Sequence, residues 1–287
     1  MATPDAAGPP VATYCYRHSE REAYVRCSRC ERVICPDCMT AAAVGFQCPE
    51  CVAQGRAEVR ASRVPSLSGF DRRTSVTVSL IVLCVVIYGA EWILGVNTVV
   101  GDYGSWPVAI ALDGQQWRLF TAMFLHLNLL HLLFNMYVLY LVGRQLELIF
   151  GHARYLALYL IAGLGGSVAS YVFSDPLSVS AGASGAIFGL MGALVVAGHA
   201  AKSDINQVLV LIAINLAFGF FVGGIDWRAH LGGLVTGAVV AAVLTYAPRN
   251  HRTLVQVGGC VLVVALLVGA VVVRDNALTN LANQLVG

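Results

Sequence analysis

The chain has 287 residues, 57% hydrophobic and 12% charged, with a formal net charge of +2. A soluble globular chain carries about 25% charged and 45–50% apolar residues, so the excess apolar surface must face something other than water. Disorder, a collagen-like repeat and a secreted disulfide scaffold are excluded. The 29 glycines fit several membrane spans, because Gly is more frequent in transmembrane helices than in soluble ones.

Residues 1–13 read as a disordered tail. They lack a basic start followed by an apolar run, so no secretory signal peptide is expected. The N-terminal segment is expected to stay in the cytoplasm, where thiols are reduced and clustered cysteines more often bind metal than form disulfides. Seven of the nine cysteines precede residue 52. Residues 14–53 carry four pairs, each separated by two residues: Cys15 with His18, Cys27 with Cys30, Cys35 with Cys38, and Cys48 with Cys51. Eight such ligands fit two closed tetrahedral zinc sites, with no open position for catalysis. A segment of about 40 residues cannot build a sufficient core alone, so metal would supply its folding free energy. Spacing leaves open which pairs share an ion. The pattern resembles the B-box type of zinc finger, in which pairs interleave. That resemblance implies one ion on Cys15, His18, Cys35 and Cys38, and another on Cys27, Cys30, Cys48 and Cys51.

Residues 54–75 form a basic linker containing Arg60, Arg63, Arg72 and Arg73. A helix needs about 20 mainly apolar residues to cross the hydrocarbon core. Seven stretches qualify: Val76–Leu94, Leu125–Ile149, Tyr155–Phe173, Ala181–His199, Ile205–Val222, Ala229–Tyr246 and Leu254–Val273. The connection from Gly95 to Phe124 holds Trp106, Trp117 and Arg118 and is aromatic and amphipathic. The tail after Arg274 is uninformative. With the N-terminus inside, ten Arg and Lys residues fall in inner segments against three in outer ones. That asymmetry predicts an inner N-terminus and an outer C-terminus.

Polar residues within the spans stand out, because ionisable groups in hydrocarbon are expensive and usually functional. His131 and Asn135 are four residues apart, on one helical face of the second span, and His126 lies five residues before His131, about 140° round the helix. Helix–helix hydrogen bonding is the alternative reading of either residue. The fourth span opens Gly182-Ala183-Ser184-Gly185. In the sixth, His230 lies one turn before a GxxxG face formed by Gly233 and Gly237. Under the expected topology these groups share the outer half of the bilayer. A serine nucleophile needs a base, most often His, and an acyl-transfer intermediate needs donors aimed at its oxyanion. Asp226 lies in the adjoining loop, but a Ser–His dyad is the simpler reading.

Trp117-Arg118, the His126…His131…Asn135 run, the Gly182-Ala183-Ser184-Gly185 turn and Ala229-His230 with Gly233 and Gly237 occur in the order found in rhomboid intramembrane serine proteases. The chain resembles that family over roughly residues 74–250. The resemblance implies an all-α polytopic membrane protein with a six-helix catalytic domain over 76–250. The seventh helix and outer tail, 251–287, and the zinc-binding domain are additions to this core. Ser184 would be the nucleophile and His230 the general base. His131, Asn135 and the Ser184 N–H would form the oxyanion hole. Phe188 would pack on the catalytic imidazole, Gly182 and Gly185 would shape the turn, and Trp117-Arg118 would stabilise the first outer loop. Glu147 would be a structural acid.

The function so implied is cleavage of transmembrane segments of other membrane proteins near the outer face, with zinc structural and no cofactor for catalysis. The expected partners are transmembrane substrates, the lipid bilayer and a cytoplasmic protein that binds the zinc module; no nucleic acid is expected. The alternative is a non-catalytic relative that binds membrane clients, although such proteins typically lack the Ser or the His. A transporter would want polar residues lining both leaflets, whereas here they cluster in one.

Overall fold

Backbone amides in hydrocarbon have no water to bond, so a spanning segment satisfies them within itself as a helix. The computed structural model shows the apolar stretches doing so. It describes residues 13–42, 44–61, 74–221 and 225–286. The chain divides into two units, Met1–Gly69 and Phe70–Gly287.

The first unit holds two small antiparallel hairpins, which composition did not announce. Strand β1 (Val25–Arg26) pairs with β2 (Val33–Ile34), and β3 (Thr40–Ala41) with β4 (Phe46–Gln47). Helix α1 (Pro49–Ala61) follows, so the first residues of the segment read as a linker are helical. Residues 62–73, the rest of that segment but for its last two residues, lie outside the described residues, as does nearly all of the N-terminal tail. The buried cluster consists of Cys15, Cys27, Cys35, Cys38, Cys48 and Cys51 with only Ala23 and Ile34 as further members. A core made mostly of thiols has the composition of a metal-ligand shell more than of an apolar core.

The second unit begins with α2 (Ser75–Leu94). The connection after it folds into α3 (Val96–Tyr103), α4 (Pro107–Leu112) and α5 (Arg118–Thr121). The second span runs through α6 (Leu129–Val138), a π-helical turn over Leu139–Gly143, and α7 (Arg144–Phe150). Then come α8 (His152–Phe173), α9 (Ser184–Ala200), α10 (Asn206–Phe221), α11 (Trp227–Tyr246) and α12 (Arg252–Val286). Among the described residues, five spans are long and apolar enough to cross a membrane, and α9 and α10 are shorter apolar helices. Side chains such as Val86, Leu262 and Leu266 remain exposed along the flanks, where a bilayer supplies the apolar surroundings. The chain is a multi-pass membrane protein.

Two boundaries differ from the apolar pattern, each for a local reason. Helix α6 starts at Leu129 and not Leu125, because Asn128 caps it: its Oδ1 accepts the His131 N–H at 2.9 Å. Helix α12 does not stop at Val273 but continues unbroken to Val286. What read as a tail is helical.

Helices α8, α9 and α11 form the centre of the unit. Helices in lipid gain little from apolar burial against one another, so close packing through small residues holds them. A Cβ on Gly233 would lie 1.9 Å from the Gly185 carbonyl oxygen, and one on Gly237 2.1 Å from that of Gly189. The GxxxG face of α11 thus lies backbone to backbone on α9. At one end of the bundle the buried Glu147 carboxylate accepts the N–H groups of Val76 and Thr77, each at 2.8 Å, and the Thr77 hydroxyl at 2.6 Å. It satisfies the orphan donors that open α2. The other end holds the polar residues singled out above.

Candidate active site

Ser184 is the first residue of α9, so its N–H is among the first-turn amides without an intrahelical acceptor. The turn that presents it needs Gly182, whose φ is +147°. That conformation is rare for residues bearing a Cβ. A side chain there would also meet the His131 ring, with Cε1 at 2.9 Å and Nε2 at 3.1 Å, and Ser184 Oγ at 3.6 Å. His131 and Ser184 therefore border the same small space, left open by the missing side chain. The segment before the turn is tied to the connection after α2: Ser105 and Ser180 exchange two backbone hydrogen bonds at 2.8 and 2.9 Å. The Gly182 N–H also donates to the Ala122 carbonyl at 2.9 Å.

Helix α11 brings His230 to this turn. Asp226 caps the helix, Oδ1 accepting the N–H groups of Arg228 at 3.1 Å and Ala229 at 3.2 Å. One turn after His230, Gly233 locks onto Gly185, the residue after Ser184. The imidazole is buried, and its Nε2 lies 2.9 Å from Ser184 Oγ. Phe188, one turn after Ser184, stacks on it at a centroid distance of 4.2 Å and an interplanar angle of 14°. His230 Nδ1 has no hydrogen-bond partner among the described residues. Asp226 is engaged elsewhere, its Oδ2 accepting the Ser170 hydroxyl, so among the described residues no carboxylate is hydrogen-bonded to His230.

Asn135 is buried on α6, and its Nδ2 donates to the His131 carbonyl at 2.9 Å. This bond lies within α6 and is not the interhelical bond of the alternative reading, and the second amide hydrogen is left for another acceptor. The rings of His126 and His131 lie 5.2 Å apart. Glu91, buried on α2, accepts the His126 N–H on both carboxylate oxygens at 3.2 Å. Neither Glu91 nor the Ser105–Ser180 pairing was visible in the sequence; a carboxylate inside the first span was the signal available for Glu91. Trp117 and Arg118 are not at the Ser184–His230 pair. The Arg118 guanidinium donates to the carbonyls of Gly101 at 2.8 Å and Gly104 at 3.0 Å and to Gln115 Oε1 at 2.5 Å. It fastens the end of α3 to α5, while Trp117 packs on Tyr103 at 5.6 Å.

In the first unit the eight ligands gather into two candidate metal centres. One is Cys15, His18, Cys35 and Cys38; the other is Cys27, Cys30, Cys48 and Cys51. Within each, the donor atoms all lie within 4.8 Å of one another. This is the interleaved arrangement. Burial raises the Cys15 thiol, but backbone amides of Cys35, Arg17 and His18 outweigh it and bring it down to about 6. Cys27 falls to about 6 in the same way, through the amides of Cys48, Arg29 and Cys30. A thiol that ionises readily suits a metal ligand. Burial and neighbouring thiols push Cys38 up to about 11 and Cys51 up to about 12, so a bound metal would displace the protons from those two.

Residues 113–247 match the family model of the Rhomboid domain. The chain is 40% identical over 172 residues to the rhomboid protease GluP of Bacillus subtilis (strain 168), covering 58% of this chain and 33% of that protein. It is 42% identical over 148 residues to the mitochondrial RHOMBOID-like protein 6 of Arabidopsis thaliana, covering 49% and 48%. With YdcA of the same Bacillus it shares 36% identity over 135 residues, 45% of this chain and 67% of that protein. The chain thus spans from a third to two thirds of the length of these relatives.

Proposed function

Because the chain belongs to the rhomboid family, we propose that it is an intramembrane serine endopeptidase that cleaves transmembrane segments with a Ser184–His230 dyad. The observation that carries this reading is the 2.9 Å contact between His230 Nε2 and Ser184 Oγ. His230 takes the hydroxyl proton as Oγ attacks the scissile carbonyl carbon. The negative charge passes to the carbonyl oxygen, to be met by the Ser184 N–H, the free hydrogen of Asn135 Nδ2 and the His131 ring. His230 returns the proton to the leaving amine, and water then hydrolyses the acyl-enzyme by the same route. The Phe188 stack holds the imidazole in plane. Trp117 and Arg118 act at a distance, by fixing the loop against which the Ser184 turn is paired.

The four-ligand clusters would hold two zinc ions. A tetrahedron with Zn–S bonds of about 2.3 Å has edges of about 3.8 Å. Cys30 Sγ and Cys48 Sγ are 3.8 Å apart, and His18 Nδ1 lies 3.9, 3.3 and 3.5 Å from the sulfurs of Cys15, Cys35 and Cys38. Bound there, zinc supplies folding free energy and no catalysis. The bias of Arg and Lys toward the inner segments supports a cytoplasmic N-terminus and an outward-facing Ser184 end of the bundle. The module's work is to engage a cytoplasmic protein.

The test is a cleavage assay on a transmembrane substrate in proteoliposomes, comparing wild type with Ser184→Ala and His230→Ala, with fluorophosphonate labelling of Ser184. Each variant abolishes turnover, and the double variant is little worse than either, as for residues that act as a unit. Client binding without cleavage needs no Ser184–His230 bond. Substantial turnover by Ser184→Ala overturns the protease reading.

A further inference from the structure

Helix α12 lies outside the residues matched by the family model. Its 35 residues make a rod of about 52 Å, against about 30 Å of hydrocarbon core. Arg274 and Asp275 fall about 33 Å from its start, level with the end of the bundle that holds Ser184. The pair thus lies just past the hydrocarbon core, yet both side chains turn toward the bundle, unlike Leu262, Leu266 and Val273, which face outward.

Each charge reaches inward. Asp275 Oδ1 accepts the hydroxyl of Tyr171, a fully buried residue of α8, and its Oδ2 accepts Gln116 Nε2 at 3.3 Å. Gln116 adjoins Trp117-Arg118, and its Nε2 also donates to the Ile110 carbonyl at 3.4 Å. Arg274 donates to the Ser174 carbonyl at 3.3 Å. The Ser174 and Ser170 hydroxyls lie 3.3 Å apart, and Ser170 donates to Asp226, the cap of the helix that carries His230. Around this polar run Ile110, Leu119, Val168, Tyr171, Val271 and Leu278 form one buried cluster. Hydrogen-bonded groups thus connect α12 both to the braced loop and to the start of α11.

We propose that the seventh helix is a positioning element of the catalytic site, anchored by Asp275. Through Tyr171 and Gln116 it fixes α8 and the loop beside Arg118, and through Ser174, Ser170 and Asp226 it sets the start of α11, so that His230 stays within hydrogen-bonding distance of Ser184. This rests on the protease reading. Asp275 touches no reacting atom; it acts by holding geometry, and a misplacement of about 1 Å at a catalytic group costs on the order of 10²-fold.

The experiment compares wild type, Asp275→Ala, Asp275→Glu and Tyr171→Phe in proteoliposomes, recording kcat, KM, the rate of fluorophosphonate labelling at Ser184, and thermal unfolding. The expected result is a loss of kcat of about 10-fold or more in Asp275→Ala, matched by the labelling rate, with KM within about two-fold. Tyr171→Phe should lose rate in the same way, Asp275→Glu should recover part of it, and Asp275→Ala combined with Tyr171→Phe should lose less than the product of the two. Should Asp275→Ala fail to fold, Tyr171→Phe decides alone, since it removes one hydroxyl and keeps every charge. A lowered unfolding temperature with kcat and labelling unchanged, or a change in KM alone, overturns the inference. Wild type that neither cleaves nor labels at Ser184 overturns the protease reading and this one with it; labelled wild type with unchanged variants overturns this one only.

Discussion

Replacing Gly233 with alanine puts a methyl group where α9 already stands. The new Cβ would lie 1.9 Å from the Gly185 carbonyl oxygen, 2.7 Å from its carbon and 3.1 Å from its Cα. All three are backbone atoms, so no rotamer change relieves the overlap. Opening the shortest contact to roughly 3 Å parts the two helices by about 1.1 Å at that level. Ser184 precedes Gly185 and His230 lies three residues before Gly233, so the same displacement takes the 2.9 Å Nε2–Oγ contact to about 4 Å, beyond hydrogen-bonding range. A shift of about 1 Å costs on the order of 10²-fold in rate. The assay is kcat on a transmembrane substrate in proteoliposomes, with thermal unfolding recorded alongside to separate loss of geometry from loss of fold. Gly258→Ala and Gly269→Ala are the controls: nothing lies within 4 Å of either added Cβ, and both should keep the wild-type rate. A folded Gly233→Ala enzyme within about three-fold of wild type would refute the claim that this helix contact sets the dyad.

Asn135→Ala should lower kcat by roughly 10- to 100-fold with little change in KM, less than the 10²–10³ loss of a lone oxyanion donor, because the Ser184 N–H and His131 remain; an unchanged kcat would leave its bond to the His131 carbonyl as its whole role. Glu147→Ala should destabilise the fold by roughly 2–4 kcal/mol, since it strands the buried donors of Val76 and Thr77. Its kcat in the folded fraction should match wild type, because Glu147 sits at the opposite end of the bundle from Ser184, and equal unfolding temperatures would sink the capping argument. Metal analysis of the purified chain should find two zinc ions, removable by chelation with loss of the module's structure. Deleting residues 1–56 should leave fluorophosphonate labelling of Ser184 intact, because every residue of that site belongs to the second unit; a silent truncated enzyme would tie the module to catalysis.

Local rules made much of this chain legible. Span existence follows from runs of apolar residues, because a helix must hold its own hydrogen bonds across hydrocarbon. The metal ligands follow from pairs spaced by two residues; His131, Asn135 and His230 stand out as polar groups inside spans, while Ser184 and the roles of all four came from their conjunction and from resemblance. The interleaved ligand sets came by resemblance and not from spacing, since a Cys-x2-Cys pair carries no record of which partner it meets. What tertiary structure decided are the contacts between distant segments. Ser184 and His230 are 46 residues apart, Glu147 and Thr77 70, Ser170 and Asp226 56, Tyr171 and Asp275 104. Whether two polar side chains on different helices meet depends on the rotation and depth of each helix. Those are set by where backbones can approach, as at Gly233 on Gly185, and not by either helix's own period. The same reason hid the inward-facing side of α12: apolarity marked Leu254–Val273 as a span and stopped there. The helix continues to Val286, past Arg274 and Asp275, whose partners Tyr171, Gln116 and Ser174 a sequence read along its length does not place beside them.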